Sequence, residues 1–380
     1  MERYLENYIL KDLKEKIVFL SGPRQVGKTT LSKQIMDSFT YLNYDSSVHR
    51  KIIFKGEWAR DRDLIIFDEI HKMKKWKSWL KGIYDTEGIP PAMLVTGSAR
   101  LDIYRKGGDS LAGRYNSFRL HPITVKEAVS NLNMKKEEAL SILLEVGGFP
   151  EVFLKKSESF AKRWRRTHID SIIREDLLDL ENVRDIKSIE IMIDLLRERV
   201  GSTTSFTSLA NDLQVSVPTV KKWLTILENL YVIFPVRPYH KNISRSILKE
   251  AKYFLYDTGS VSGDMGAKLE NTVANAIFRE LHFLEDITGS RVALNYIRDR
   301  EKNEVDFLAV IDNVPILLIE VKYSDNNFSK SLFRFKRMLP GVDGCQVVMN
   351  LKERKSKDGV RMEHASEFLN DLSFISKSRK

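Results

Sequence analysis

Two groups of residues in this chain have the side-chain types and spacing that chemistry on phosphate demands. The first is Gly22-Pro23-Arg24-Gln25-Val26-Gly27-Lys28-Thr29-Thr30, which fits GxxxxGK followed by a hydroxyl residue. In such a loop the glycines permit a tight turn that cradles phosphate oxygens, the lysine neutralises β and γ oxygens, and the hydroxyl meets Mg²⁺. Nucleotide hydrolysis then needs a carboxylate for the metal and a base or positioning group for the attacking water. Leu64-Ile65-Ile66-Phe67-Asp68-Glu69 supplies both, with Asp68 assigned to the metal and Glu69 to the water. An apolar run ending in two acids is by itself an ordinary strand end meeting solvent, and the loop upstream makes it specific. The second group is Asp306, Glu320 and Lys322, spaced D-x13-E-x-K, with Glu270 upstream in a helical segment. Phosphodiester hydrolysis needs oxygen ligands that hold Mg²⁺ against the phosphate and a cation that positions the water. Glu270, Asp306 and Glu320 are the candidate ligands and Lys322 the candidate cation. The competing reading is a solvent-facing ladder of salt bridges across two strands.

The elements around these residues follow from apolar patterning. Ile17 to Leu20 runs into the glycine loop and a helical pattern from Leu31 to Ile35 follows, giving strand, loop, helix. Tyr41-Leu42-Asn43-Tyr44 reads as an extra strand, expected to separate the glycine-loop strand from the Asp68 strand. Ala92 to Arg100 reads as another buried strand whose end carries Ser98, either a γ-phosphate sensor or an ordinary strand-end serine. His71 to Trp79 mixes lysines with Trp76 and Trp79; this suits nucleic acid, but the spacing of Trp76, Trp79 and Leu80 is that of the buried stripe of a helix with solvated lysines, and this is the favoured reading. From Val125 to about Val183 the pattern is helical, broken by Gly147-Gly148-Phe149-Pro150, and the basic Trp164-Arg165-Arg166 stretch reads as a solvated face. Between Ser205 and Tyr239 a helix, a turn at Gln214 to Ser216 and a second helix capped by Ser216 resemble a helix-turn-helix, with Tyr231 to Val236 as a wing. Thr219, Lys221 and Lys222 would face a DNA groove; a protein contact is the equal alternative. In the last third, Glu304 to Val310 and Pro315 to Tyr323 read as a hairpin closing around Ile311 to Val314. Period-two alternation sends Glu320 and Lys322 to one face, and Asp306 can join it.

The chain has 380 residues, 42% hydrophobic and 30% charged, which suggests two to four units with packed cores and excludes one small domain or a disordered chain. The formal net charge of +10 favours an anionic partner: nucleic acid first, nucleotide next, an acidic membrane surface last. The single Cys345 excludes an intrachain disulfide framework and a multi-cysteine zinc site. The N-terminus lacks the cationic start and apolar core of a signal peptide, and no apolar run approaches the roughly 20 residues that span a bilayer, so a cytoplasmic protein is expected.

Taken together, Gly22 to Thr29, Leu64 to Glu69, Thr96-Gly97-Ser98, Ser110-Leu111-Ala112-Gly113-Arg114, Gly147 to Pro150, Tyr256-Asp257, the Glu270-Asn271 helix, Glu304-Val305-Asp306 and Ile319-Glu320-Val321-Lys322 make the chain resemble, over nearly its full length, a prokaryotic family of AAA+ ATPases fused to a restriction-endonuclease-like, PD-(D/E)XK domain. The resemblance implies an α/β fold with a P-loop ATPase core at 1–124, a helical lid at 125–190, a winged helix-turn-helix at 191–258 and a nuclease-like domain at 259–380. It implies ATP and Mg²⁺ as cofactors and DNA as partner, with Thr29 and Asp68 on one metal and Glu270, Asp306 and Glu320 on another. Arg114, or Arg100, is the candidate arginine finger against the alternative of a surface arginine, and a finger acting in trans implies a homo-oligomer. Pro150 resembles the adenine-side proline of related signal-transducing ATPases. The expected activity is ATP hydrolysis coupled to Mg²⁺-dependent cleavage of DNA, branched DNA among the candidates. The alternatives are a remodelling ATPase with a non-cutting nuclease fold and a nucleotide-driven protein-interaction switch.

Overall fold

Strands that are apolar along their whole length are stable only where both faces are covered, and three of them form the centre of the first sheet. Its strands are β1 (Ile17–Ser21), β2 (Phe39–Asn43), β3 (Leu64–Asp68), β4 (Ala92–Gly97) and β5 (Tyr115–Arg119). All pair in parallel, in the order β2-β3-β4-β1-β5. β1, β3 and β4 are buried throughout, whereas β2 and β5 bury fully only one residue each, as edge strands do. This order corrects one expectation. The strand that separates β1 from the Asp68 strand is β4, and the Tyr41 strand lies at the sheet's edge. The reason is compositional: Phe39-Thr40-Tyr41-Leu42-Asn43 alternates with polar residues and cannot occupy a doubly covered position, while Ala92-Met93-Leu94-Val95 can.

The computed structural model describes residues 1–98, 111–173, 185–240, 250–324 and 327–375. These form two units, Met1–His121 with Asn229–Tyr231, and Pro122–Glu228 with Val232–Lys380. In the first unit, the helix Trp76–Glu87 buries Trp76, Leu80 and Ile83, and Trp79 packs edge-on to Phe67 and Trp58. The tryptophans after the Asp68 strand are therefore core residues. Among the described residues no helix is long and apolar enough to cross a membrane.

The second unit begins with the helices Val125–Leu132, Lys136–Val146, Pro150–Lys155 and Glu158–Ser171. Gly147 and Gly148 turn the chain between the second and third, and Pro150 takes the first helical position, where its missing N–H costs nothing. Arg165 pairs with Asp257 at 2.9 Å and Trp164 stacks on His168, so this basic stretch is partly structural. Helices Phe206–Asp212 and Val217–Asn229 flank a turn, and Ser216 Oγ accepts from Thr219 N at the start of the second. An eight-stranded mixed sheet follows, made of β6 (Ile233–Pro238), β7 (Lys252–Leu255), β8 (Val292–Arg298), β9 (Glu304–Ile311), β10 (Val314–Lys322), β11 (Asp343–Val348), β12 (Lys355–Lys357) and β13 (Val360–His364). Its order is β12-β13-β11-β10-β9-β8-β6-β7. β6, the expected wing strand, pairs antiparallel with β7 and also joins β8 in parallel over Arg237↔Asn295 and Pro238↔Tyr296. Helix Met265–Thr288 carries Glu270. Helix Lys330–Met338 sends Leu332 and Phe335 into a core with Val305, Leu308 and Leu318.

Candidate functional sites

The first site forms where β1 ends. Gly22 has φ +149° and its Cα lies so close to the chain that a Cβ would sit 2.3 Å from Leu120 O, so no other residue fits. Gln25 (φ 61°) and Gly27 (φ 99°) curl the loop back into helix Lys28–Gln34. Lys28 is buried with Nζ donating to the carbonyls of Gly22 (2.9 Å) and Pro23 (2.7 Å), across the loop's own mouth. Arg24 is half-buried, Gln25 and Thr30 are exposed and Val26 is buried. Arg3 holds the loop from behind, donating to Val26 O at 2.8 Å and to His121 O at 2.7 Å. Tyr231 OH bonds Ser21 Oγ, the residue before the loop, at 2.9 Å.

Asp68 ends β3 facing this loop. Its Oδ2 accepts from Thr29 Oγ1 (3.3 Å) and Tyr41 OH (2.5 Å), and its Oδ1 accepts from Thr96 Oγ1. Burial, reinforced by the Asp68 carboxylate, raises the Tyr41 phenol well above its usual pKa and keeps it a donor. Glu69 adopts left-handed backbone at φ 55°, rare for a residue with a side chain and costing about 1–2 kcal/mol. Its Oε1 accepts from Ser98 N at 3.1 Å, and Ser98 Oγ lies 3.5 Å from Oε2. His71 Nε2 is 3.4 Å from the same Oε2. Burial, and then Lys72, lowers the His71 pKa to about 4, so at neutral pH this contact is not an ion pair. Thr29, Asp68, Glu69, Ser98 and Lys28 are thus gathered at one end of one sheet.

Arg114 is not gathered there. Its carbonyl accepts from Ile17 N (3.0 Å) at the start of β1, whereas the phosphate-type loop leaves the other end. Five strand residues, about 16 Å, lie between them. Its guanidinium is held by Asp85 through Nε (2.7 Å) and Nη2 (3.2 Å). It therefore does not serve its own chain's loop, which corrects any cis reading of the arginine finger. Arg100 and the 108–110 stretch lie outside the described residues. Pro150 belongs to the second unit.

The second site lies within the second unit, on β9, β10 and helix Met265–Thr288. The turn Asp312-Asn313 (φ 49° and 65°) pairs Ile311 with Val314, a register that would carry Asp306 opposite Ile319 and leave Glu320 on the other face. A shift between Pro315 and Leu317 inserts Ile316 as a spare residue, and from there Phe307 pairs with Ile319. Asp306 consequently falls opposite Glu320, on one face. Asp306 Oδ2 accepts from Val321 N (2.8 Å), and Lys322 Nζ lies 2.9 Å from Glu320 Oε1.

Two residues that sequence reasoning missed complete this group. Lys252, 2% exposed at the start of β7, lies 2.8 Å from Glu304 Oε1, 3.6 Å from Glu270 Oε1 and 3.9 Å from Asp306 Oδ1. Glu304 shares a face with Asp306 by alternation, a signal present in Glu304-Val305-Asp306; a lysine opening the apolar run Tyr253-Phe254-Leu255 was the corresponding signal for Lys252. Arg298 approaches Glu304 from the rim at 3.7 Å. Burial and then Asp306 push Glu270 up to about 8 and Glu320 up to about 7; burial likewise raises Asp306, against Lys252. Burial would lower Lys322, but the hydrogen bond it donates to Glu320 and the nearby charges of Glu320, Asp306 and Glu270 together outweigh burial, and its pKa is raised. Carboxylates and lysines are thus shifted the same way, upward, as burial of the carboxylates and an excess of anionic over cationic groups require.

Among the described residues no three His, Cys, Asp or Glu side chains have converged into a ready metal-ligand set. The donors nevertheless fit a hard divalent cation. Glu270 Oε1 and Glu320 Oε2 are buried without a hydrogen-bond partner, and raised carboxylate pKa values are what an added positive charge would reverse.

Residues 14–129 match the family model of an AAA domain, and residues 137–265 and 265–366 match two families described only as domains of unknown function, DUF8612 and DUF4143. The chain is similar to an uncharacterised protein of Methanocaldococcus jannaschii, 24% identical over 363 residues that cover 87% of this chain and 80% of that protein. An uncharacterised Mycobacterium tuberculosis protein is 28% identical over 247 residues, 64% of this chain and 54% of that protein, so the match spans about half of that relative. A solved RuvB variant of Thermotoga maritima superposes with a TM-score of 0.33 and 19% identity, over 60% of this chain and 88% of that chain. The family match and the loop-bearing parallel sheet make the first unit an AAA-type P-loop domain.

Proposed function

We propose that the chain hydrolyses ATP in its first unit and cleaves DNA with Mg²⁺ in its second, which on this reading is a restriction-endonuclease-like domain of the PD-(D/E)XK kind. The observation that carries the nuclease half is the bulge at Ile316, which sets Asp306 against Glu320 with Lys322 alongside. At the first site, Lys28 and the loop N–H groups hold the β and γ phosphates. Glu69 takes the proton of the water that attacks the γ phosphorus as the bond to the ADP oxygen breaks, and Ser98 links Glu69 to the γ-phosphate. Thr29 and Asp68 would hold Mg²⁺ there. Arg114 serves the nucleotide of a neighbouring copy, which makes a homo-oligomer the active form.

At the second site Glu270, Asp306 and Glu320 would hold Mg²⁺, which supplies charge neutralisation at the scissile phosphate. Lys322 donates to the attacking water and orients it. The water oxygen adds to phosphorus and gives up a proton to bulk water, and the bond to the leaving sugar oxygen breaks as that oxygen takes up a proton from bulk water. Helices Phe206–Asp212 and Val217–Asn229 are proposed as the winged-helix DNA contact, with Lys221 and Lys222 exposed and Thr219 half-buried. The test is Mg²⁺-dependent cleavage of linear, single-stranded and four-way-junction DNA, with and without ATP, by the wild type and Glu320→Ala. Cleavage lost in the variant supports the reading. Absence of any cleavage beside measurable ATPase supports the second reading, a DNA-remodelling ATPase with a gripping nuclease fold; the observation that favours it is the ammonium of Lys252 already seated among the carboxylates.

A further inference from the structure

We infer that Lys252 stands in the place of a second metal ion, so that the carboxylate site of the second unit takes one divalent cation and not two. This rests on reading that site as a metal site. Phosphodiester-cleaving centres commonly use two ions about 3.5–4 Å apart, bridged by shared carboxylates. Here three carboxylates from two elements, Glu304 and Asp306 of β9 and Glu270 of the helix, converge on one ammonium. That ammonium carries three donors and a fixed positive charge, which is what an ion shared by those carboxylates would provide.

Lys252 is held in position. Its backbone pairs with Val236 on one side and Thr203 on the other, its side chain is 3% exposed, and Nζ lies 5.6 Å from the Tyr296 ring centroid. Glu270 is confined as well. The chain passes it at Gly201 (φ +77°), where a Cβ would stand 2.5 Å from Glu270 Oε2, so any other residue would drive the carboxylate off the lysine. Lys322 differs in kind: its side chain is 38% exposed and pairs with Glu320 at 2.9 Å, which leaves it within reach of a substrate or water at the rim. The ground left for the one ion lies between Glu320, whose Oε2 is buried with no hydrogen-bond partner among the described residues, and Asp306 and Glu270, which that ion would share with Lys252.

The experiment counts bound Mn²⁺ by the electron paramagnetic resonance of the free ion, using the full chain without nucleotide and with Asp68→Asn to silence the phosphate-loop site. With Lys252 present one equivalent binds. Lys252→Met, similar in length and uncharged, binds two, and Lys252→Arg returns the count to one. Equal counts with and without the lysine, or two equivalents in its presence, overturn the inference and leave the metal reading standing. No Mn²⁺ bound by any of the proteins removes the metal reading and the inference with it. If Lys252→Met does not fold without the ion, its melting midpoint along a Mn²⁺ series decides: the concentration dependence of two bound ions supports the inference, and that of one overturns it.

Discussion

On the proposed reading Lys28 and Glu69 divide the work of the first site between binding and proton transfer, and their substitutions separate the two. Lys28→Ala abolishes phosphate release with the fold unchanged, and normal turnover would remove Lys28 from the mechanism. Glu69→Gln retains ATP binding but slows hydrolysis by about 10²–10⁴-fold, measured as single-turnover phosphate release against nucleotide affinity. Behind them, Tyr41→Phe takes one donor from Asp68 and costs about 1–2 kcal/mol in urea unfolding, with a higher KM for Mg²⁺·ATP than the wild type. His71 carries a pH signature. Its folded pKa of about 4 lies below its ordinary 6.5, so the unfolded chain takes up the proton first. Stability is complete above pH 6.5 and falls by up to about 3 kcal/mol as pH drops towards 4, a slope that is absent in His71→Asn. Lys28, Thr29, Asp68 and Glu69 were legible because each motif is a continuous stretch of chain. Tyr41, Thr96, Arg3 and Lys252 were not, because what makes each matter is a partner tens of residues away.

Strand order shows where patterning stops being sufficient. Four of the five strands of the first sheet can be found from their apolar runs, whereas β5 (Tyr115–Arg119) has none and was not read; chain order moreover placed the Tyr41 strand at the centre when its residues belong at an edge. Burial on both faces, a property of composition, was the better guide than adjacency in sequence. For helix Trp76–Glu87 the three- and four-residue spacing described the core correctly. Leu80→Ala therefore costs about 2–5 kcal/mol in chemical denaturation, while Lys74→Ala and Lys75→Ala stay within about 0.5 kcal/mol and leave DNA affinity within twofold. Lys221→Ala and Lys222→Ala separate the two uses of the helix pair. A DNA contact lowers the salt dependence of affinity by about one unit of slope per lysine, and a protein contact leaves it unchanged.

The two clusters of ionisable residues reside in two separate units, and a buried group in each responds to pH in the opposite direction. Glu270, pushed up from 4.5 to about 8, contributes stability that is complete below pH 4.5 and is lost as pH rises through 8, the reverse of His71. Thermal melts from pH 5 to 9 should fall less steeply in Glu270→Gln. The remote placement of Arg114 makes assembly testable without knowing the stoichiometry. If arginine acts on a neighbour's nucleotide, mixing inactive Lys28→Ala with inactive Arg114→Ala restores part of the ATPase, because an intact loop then meets an intact arginine. A mixture as inactive as its components would return Arg114 to the role of Asp85's surface partner.

The spare residue at Ile316 gives the hairpin slack. Its tip and its carboxylates are out of step by one, and the bulge beside Pro315, where the ladder already lacks a donor, absorbs the mismatch. Removing Ile316 closes the bulge and leaves Asp306 facing Glu320, so Mn²⁺ binding should survive that deletion. Removing Ala309 from the opposing strand shortens the other side, turns Asp306 towards Ile319 and should abolish it. The pairing of Asp306 with Glu320 thus tolerates the loss of one residue at the bulge of its own hairpin and does not tolerate a loss on the facing strand.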